Sequence, residues 1–379
     1  MLEQAEVRFL AVLVQKGHLQ KTDAERVFAA AGRGGRLDDL LDQLGLMDAE
    51  RVAYLRSTGG EDVPPVPGYD YVGQAGFGGT SVVFKGRQRA TGKLVALKIM
   101  HRELHQDPLQ KQRFVHEAKL LMKLDFPNVV KGYRVGHVKA SDGSERLVFI
   151  LEWVDGKTVL ELLREGRQFE EDLALSIILQ TAKSLRYMHG QGVLHRDVKP
   201  DNIILTPDDT VKLIDLGFAT MLDESRKEGP ATTLGTAAYM SPEQARGLGD
   251  LDARSDIYSL GATLYQMMVG ELPFSGEGTQ EQLAARILEA LSSPELQSRR
   301  ISPHMNYFVR KMMEQDRDFR YATMADLIAD VEKQIRGKKT LSFETREDSG
   351  SHPLAPDPGP PGPQKPSLPP KFPKRRRRR

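Results

Sequence analysis

His195-Arg196-Asp197-Val198-Lys199-Pro200-Asp201-Asn202 gathers an imidazole, two cations, two carboxylates and a side-chain amide into eight consecutive residues. Such a stretch is costly as plain scaffolding, because each charge must be paired or kept wet. Lys199 follows Asp197 by two residues and Asn202 follows it by five, so one short loop carries all three. Singly, an Asp or Asn here reads as a turn cap. Outward from the loop, Asp215-Leu216-Gly217 and Ser241-Pro242-Glu243 lie downstream. Upstream, the apolar strand pattern Val95-Ala96-Leu97-Lys98 ends in a cation, and helical spacing over residues 111–124 carries Glu117 within Arg113-Phe114-Val115-His116-Glu117. Alone, Lys98 reads as a solvated strand end and Glu117 as a surface helix acid. Earlier still, Gly76-Phe77-Gly78-Gly79-Thr80-Ser81-Val82-Val83 reads as strand, glycine turn, strand. Its small residues let backbone N–H groups close on phosphate oxygens. A glycine cluster by itself is more often a hairpin turn, and no Gly-Lys-Ser/Thr follows it.

The patterning around these motifs divides the chain. Residues 1–58 show helical apolar spacing, as in Val7, Leu10 and Val14 and again in Leu37, Leu40, Leu41 and Leu44, which predicts a small all-α domain. Two echoes predict a duplicated helix pair: Leu13-Val14-Gln15-Lys16-Gly17 with Leu41-Asp42-Gln43-Leu44-Gly45, and Asp23-Ala24-Glu25-Arg26-Val27 with Asp48-Ala49-Glu50-Arg51-Val52. Residues 59–68, rich in Gly and Pro, predict a linker. Over residues 69–337, β-rich runs at Val82-Val83-Phe84-Lys85, Leu94 to Ile99 and Leu147 to Leu151 give way after Gly156 to mostly helical spacing. That order implies an α+β fold of two lobes, with a ligand cleft between them. Residues 338–379 hold ten of the 22 prolines, between Pro353 and Pro373, and predict a disordered tail.

Composition narrows the function classes. With 39% hydrophobic residues in 379 the chain can build a core. No apolar run approaches the ~18 residues of a transmembrane helix. The absence of cysteine excludes disulfides, Cys-ligated zinc, iron–sulfur clusters and thiol nucleophiles. The N-terminus lacks a basic region, so no secretory signal is expected and the predicted setting is cytoplasmic. The net charge of +2 conceals eight Lys/Arg and no acid in residues 365–379, which leaves a body of net −6. That argues against a nucleic-acid groove on the main fold and confines the question to the tail.

Taken in order, the glycine turn, Lys98, Glu117, the loop at 195–202, Asp215-Leu216-Gly217 and Ser241-Pro242-Glu243 resemble the signature set of the eukaryotic-like Ser/Thr protein kinases, over about residues 69–336. The string Gly235-Thr236-Ala237-Ala238-Tyr239-Met240-Ser241-Pro242-Glu243-Gln244-Ala245-Arg246-Gly247, with Asp252-Ala253-Arg254-Ser255-Asp256-Ile257-Tyr258-Ser259-Leu260-Gly261, is most similar to the bacterial branch. The resemblance implies a bilobal kinase fold and transfer of the ATP γ-phosphoryl group to protein Ser/Thr hydroxyls, with Mg²⁺ (Mn²⁺ as a substitute) and autophosphorylation of the activation segment. It implies that Lys98 reaches the α/β-phosphates, Glu117 holds its ammonium, and Asp197 accepts or orients the substrate hydroxyl while Lys199 neutralises the moving group. Asp215 and Asn202 are the implied metal ligands. Gly76, Gly78 and Ser81 would cradle phosphates. Val83, Ala96 and Ile204 would close over the adenine, with Leu151 as gatekeeper and the backbones of Glu152 and Val154 on the base edge.

Two departures stand out. Ser81 replaces the family's third glycine at little cost in volume, and Leu216 replaces the phenylalanine of Asp-Phe-Gly, where by resemblance it would fill an apolar slot between His195 and Leu121. The implied regulatory residues are Arg196 and, among Ser225, Thr232 and Thr233, the two threonines; phosphorylation would add about −1.5 to −2 charge to pair with Arg196. Thr236 would shape the acceptor pocket. Glu243 and Arg320 are expected to form a buried structural ion pair. For the N-terminal domain a packing or protein-interaction role is expected, against anion contact by His18 and Arg33-Gly34-Gly35-Arg36. For the tail a solvated end is the default, against tethering to an anionic membrane or nucleic acid. The competing function is a nucleotide-binding pseudokinase scaffold.

Overall fold

The computed structural model describes residues 2–32, 35–61, 63–140, 143–216, 220–221, 237–273 and 301–347. Four short helices come first: α1 (Gln4–Gln15), α2 (Lys21–Ala31), α3 (Leu37–Gln43) and α4 (Ala49–Ser57). Each is too short to persist alone and is held by its apolar stripe. Phe9, Leu13, Ala24 and Val27 of the first pair correspond to Leu37, Leu41, Val52 and Leu55 of the second at a constant offset of 28 residues, and all eight are buried. The turns match as well: His18 N and Leu19 N bond Leu13 O as Leu46 N and Met47 N bond Leu41 O. The first sequence echo keeps this register, whereas the second is three residues out of phase. Asp48 is the N-cap of α4, accepting from Arg51 N at 2.6 Å, while Asp23 lies inside α2 and accepts from Gln20 N at 3.1 Å.

Residues 59–68, expected to be a spacer, do more than connect. Gly59 and Gly60 adopt φ of +62° and +81°, which only glycine takes at no steric cost. The chain then turns back to lay Val63 and Val66 on the sheet that follows. That sheet contains β1 (Tyr69–Phe77), β2 (Ser81–Gln88), β3 (Leu94–Met100), β4 (Gly132–Lys139) and β5 (Glu145–Glu152), paired antiparallel in the order β1-β2-β3-β5-β4. Alternation sends Val82, Phe84, Val95, Leu97, Ile99, Val138, Val148 and Ile150 to the outer face under Val63 and Val66. Leu147, Phe149 and Leu151 point inward against α5 (Pro108–Lys123). Asp107 caps that helix by accepting from Leu109 N (2.8 Å) and Gln110 N (3.3 Å), and Pro108 sits where no N–H partner is needed.

The second lobe is mainly helical: β6 (Lys157–Thr158), α6 (Val159–Arg164), α7 (Glu171–Gly190), β7 (Val193–Leu194), β8 (Ile203–Leu205), β9 (Val211–Leu213), β10 (Thr220–Met221), α8 (Pro242–Ala245) and α9 (Ala253–Val269), then helices Pro303–Met312 and Met324–Glu347. α9 is buried along nearly its whole length and ends on Gly270 at φ +81°. A β-rich lobe before a helical one gives the expected bilobal α+β architecture, preceded by the all-α segment. The last helix overruns the expected border at 337, continuing to Glu347. Residues 338–347 contain no proline to stop it; the first lies at Pro353.

Candidate active site

A strand, a helix and two loop segments bring the charged motif residues to one place. Lys98 lies on β3, whose inner face it shares with Ala96, and α5 carries Glu117 towards it. Lys98 Nζ donates to Glu117 Oε1 at 2.6 Å and to Asp215 Oδ1 at 3.2 Å, so one ammonium links the two lobes. Lys98 and Glu117 are 8% and 5% exposed, whereas the Asp215 side chain is 44% exposed towards the cleft. Across from them, Lys199 Nζ meets Asp197 Oδ2 at 2.8 Å, and Asn202 Nδ2 donates to Asp197 O (2.8 Å) and Oδ2 (3.1 Å). Ile214 N donates to Asn202 O at 2.9 Å, which ties the segment carrying Asp215 to the Asp197 loop.

The backbone is strained in this loop and in the segment carrying Asp215. Arg196 and Asp215 hold φ of +64° and +62°, costing on the order of 1–3 kcal/mol each for residues with a Cβ. Asp256, at the start of α9 and fully buried, offsets part of this. Its carboxylate accepts from His195 N (3.0 Å), Arg196 N (2.8 Å) and His189 Nε2 (2.7 Å). Gln244 Nε2 adds a bond to Arg196 O at 2.9 Å. The motifs of the sequence assign Asp256 no role; its signal is a carboxylate beside the run Ile257-Tyr258-Ser259-Leu260.

Electrostatics follow burial. Desolvation pushes the Glu117 carboxyl up to about 7, with Asp215 adding and Lys98 opposing. Burial pulls the Lys98 ammonium down, but Asp215 and Glu117 outweigh it and hold the group charged. Asp197 is raised to about 6, chiefly by burial, with Lys199 and Asn202 opposing. Its Oδ1 is buried and has no hydrogen-bond partner. A buried carboxylate oxygen left open beside a lysine is a proton acceptor awaiting a donor.

The nucleotide-pocket candidates surround this centre. Gly76 and Val83 pair across β1 and β2, and Val83 pairs with Lys98. Ala96 pairs with Leu151, and Ile204 lies on β8. Val83, Ala96, Val154 and Ile204 are half-buried, while Leu151 is buried. Ser81 is buried, and its carbonyl accepts from Gly78 N at 2.9 Å. Glu152 N is taken by Lys131 O at 2.8 Å, so any base pairing at Glu152 falls to its carbonyl. The Glu152 side chain bonds Lys212 Nζ at 2.8 and 2.9 Å and Lys131 N at 3.1 Å, an anchor absent from the sequence reading. Leu216 is buried in the same core as Leu121, as its apolar role requires. Ser225, Thr232, Thr233 and Thr236 lie outside the described residues, as do the proline-rich and basic residues from 348 on. His18 is engaged structurally, its Nε2 donating to Gly60 O at 2.7 Å rather than facing an anion.

Among the described residues no cluster of three or more His, Asp or Glu forms a metal cage. Asp215 and Asn202 nonetheless fit a small hard cation, since magnesium commonly takes one or two protein oxygens and completes its shell with phosphate and water.

Residues 69–330 match the protein kinase domain family. The chain is 36% identical over 281 residues to a probable serine/threonine-protein kinase of Clostridium perfringens, which covers 74% of this chain and 40% of that protein. It is 34% identical over 257 residues to the serine/threonine-protein kinase PknB of Mycobacterium leprae, covering 68% and 41%. A probable serine/threonine-protein kinase of Streptomyces coelicolor is 33% identical over 265 residues, covering 69% and 39%. The chain thus spans about two fifths of the length of these relatives.

Proposed function

Because the chain belongs to the protein kinase family, we propose that it transfers the γ-phosphoryl group of ATP to serine and threonine hydroxyls of proteins, with magnesium as the metal. The observation carrying this reading is the convergence of Lys98, Glu117 and Asp215 through bonds of 2.6 and 3.2 Å, facing Asp197 with its open Oδ1. Phosphoryl transfer asks little covalent help of a protein, only charge neutralisation and in-line placement.

Lys98, steadied by Glu117, binds the α/β-phosphates. Asp215 and the side-chain carbonyl of Asn202 would hold magnesium, whose charge would screen the phosphates. Asp197 orients the acceptor hydroxyl and takes its proton as the oxygen bonds to γ-phosphorus. The bond from that phosphorus to the β,γ-bridging oxygen breaks, and ADP leaves with its electron pair. Lys199, beside Asp197, balances charge on the moving group. Gly76, Gly78 and Ser81 cover the phosphates, and Val83, Ala96, Val154 and Ile204 enclose the base. Thr232 or Thr233, once phosphorylated, would pair with Arg196, and Thr236 would border the acceptor. These intact charges favour catalysis over a pseudokinase scaffold.

Asp197→Asn should lower transfer to a generic basic protein by at least 10²-fold while leaving nucleotide affinity within about threefold. Labelled γ-phosphate ATP with magnesium reads the first and equilibrium titration the second. Undiminished transfer by the variant would overturn the assignment.

A further inference from the structure

The glycine-rich turn receives little support from the sheet that carries it. β1 is an edge strand bonded only to β2, and its register shifts between Tyr71 and Gly73 and again between Gln74 and Gly76. Such irregularities leave ladder groups unpaired and bend the strand. β1 ends on Phe77, which is 67% exposed, and the turn at 78–80 follows it. A loop so held wanders unless something outside the sheet braces it.

The N-terminal helices supply contacts of that kind at both ends of β1. Near its start, the Tyr54 ring of α4 meets Tyr71 edge-on at 6.2 Å, and Tyr71 meets Phe84 of β2 at 5.1 Å. Tyr54 Oη donates to Val63 O, and Tyr71 Oη donates to Pro64 O at 2.7 Å, so both rings are pinned by their polar ends. In the middle of β1, the Gln74 side chain lies against Gly59, where a Cβ would otherwise sit. Gly60 in turn rests on Val12 of α1. At the far end, Lys16 is fixed by Glu61 at 2.6 Å, and its Nζ lies 6.0 Å from the centroid of the Phe77 ring. The same ring lies 4.7 Å from the His101 ring, and His101 Nε2 donates to Gly78 O at 2.7 Å.

We propose that the N-terminal helical module positions the glycine-rich turn over the nucleotide phosphates, with Tyr54 and Lys16 as its positioning residues. The inference rests on the nucleotide-binding reading given above. A brace on this turn acts on ground state and transition state alike, because the phosphates are covered in both. Its loss therefore raises the KM and Kd for nucleotide and leaves kcat nearly unchanged. A merely structural role for the same residues would lower the melting temperature without that split.

The test uses the full chain carrying Tyr54→Leu, Lys16→Ala and both together, with Tyr54→Phe as the conservative variant. Kinetics with ATP are combined with equilibrium binding of a non-hydrolysable ATP analogue and with hydrogen exchange of amides 76–82. Tyr54→Leu should raise KM and Kd three- to tenfold with kcat within twofold, and should speed exchange at 76–82 but not within α9. Lys16→Ala should act in the same direction by about twofold, and Tyr54→Phe should stay within twofold of the parent. If Tyr54→Leu loses its helical signal, Lys16→Ala, exposed and outside the core, decides through the same exchange measurement. Unchanged KM, Kd and exchange in folded variants overturn the proposal, as does a fall in kcat at constant KM. A parent chain that binds no nucleotide would instead overturn the kinase reading itself, so the two failures are distinguishable.

Discussion

Glu243 and Arg320 meet through two parallel bonds, Nη1 to Oε1 at 2.7 Å and Nη2 to Oε2 at 2.8 Å, with Ser255 Oγ donating to the same carboxylate at 2.8 Å. Burial would raise the Glu243 carboxyl, but Arg320 and Ser255 outweigh it and hold the group below the usual range. A carboxylate whose folded pKa lies below its unfolded value of about 4.3 stabilises the fold fully above that value and loses the contribution as pH falls through the folded pKa. Asp256 has the same sign: burial opposes ionisation, and the bonds from His189 and His195 N overcome it. The urea midpoint should therefore drop as pH is lowered from about 5 to 3, and Glu243→Gln should show a shallower drop. At neutral pH, Arg320→Met should cost about 3–5 kcal/mol, because it strands a buried carboxylate. Loss below 1 kcal/mol in urea unfolding would remove the pair from the list of structural anchors.

α9 shows how an element can be legible while its constraint is not. Its residues read as helical, and Asp252 marks its start by accepting from Arg254 N at 2.8 Å. Nothing in the sequence says that Gly261 must stay small. A Cβ there would lie 2.7 Å from Met312 Cβ and 2.8 Å from Met313 Cγ, at the crossing with helix Pro303–Met312. Gly261→Ala should gain helix propensity of about 1 kcal/mol yet be destabilising overall by about 1–3 kcal/mol, measured by urea melts. Elsewhere, strands with several alternating apolar residues were readable, while β6 to β10, of two or three residues, exist only through their partners. The start of α5 was missed by three residues although Asp107-Pro108 signals it, because the apolar period begins later. The 28-residue repeat was half legible, since Asp23 and Asp48 match in letters but occupy different helix positions.

At the scale of the whole molecule, the convergence of Lys98, Glu117 and Asp215 was readable because the protein kinase family carries these residue types in a fixed order. Asp256, Lys212 and Tyr54 were not, since each acts through residues distant in the chain. Trp153, the sole tryptophan, sits between the lobes with its Nε1 donating to Asp155 Oδ1 at 2.7 Å and Lys85 Nζ 4.6 Å from its ring. Lys85 belongs to β2, so movement of the first lobe changes the cation's distance from the indole. Adding a non-hydrolysable ATP analogue to the full chain should change its emission saturably, and Lys85→Met should shrink the change. A flat titration with nucleotide bound would mean that the lobes do not shift at this point.

Val63 and Val66 sit ahead of the family's own boundary at residue 69, yet they are the roof of the first lobe's upper sheet. A fragment trimmed to that boundary would bare Val82, Phe84, Val95 and Leu97 to water, a sticky face prone to self-association. The portion that matches the kinase family is thus not a detachable cassette: its waterproofing is written into the stretch that precedes it.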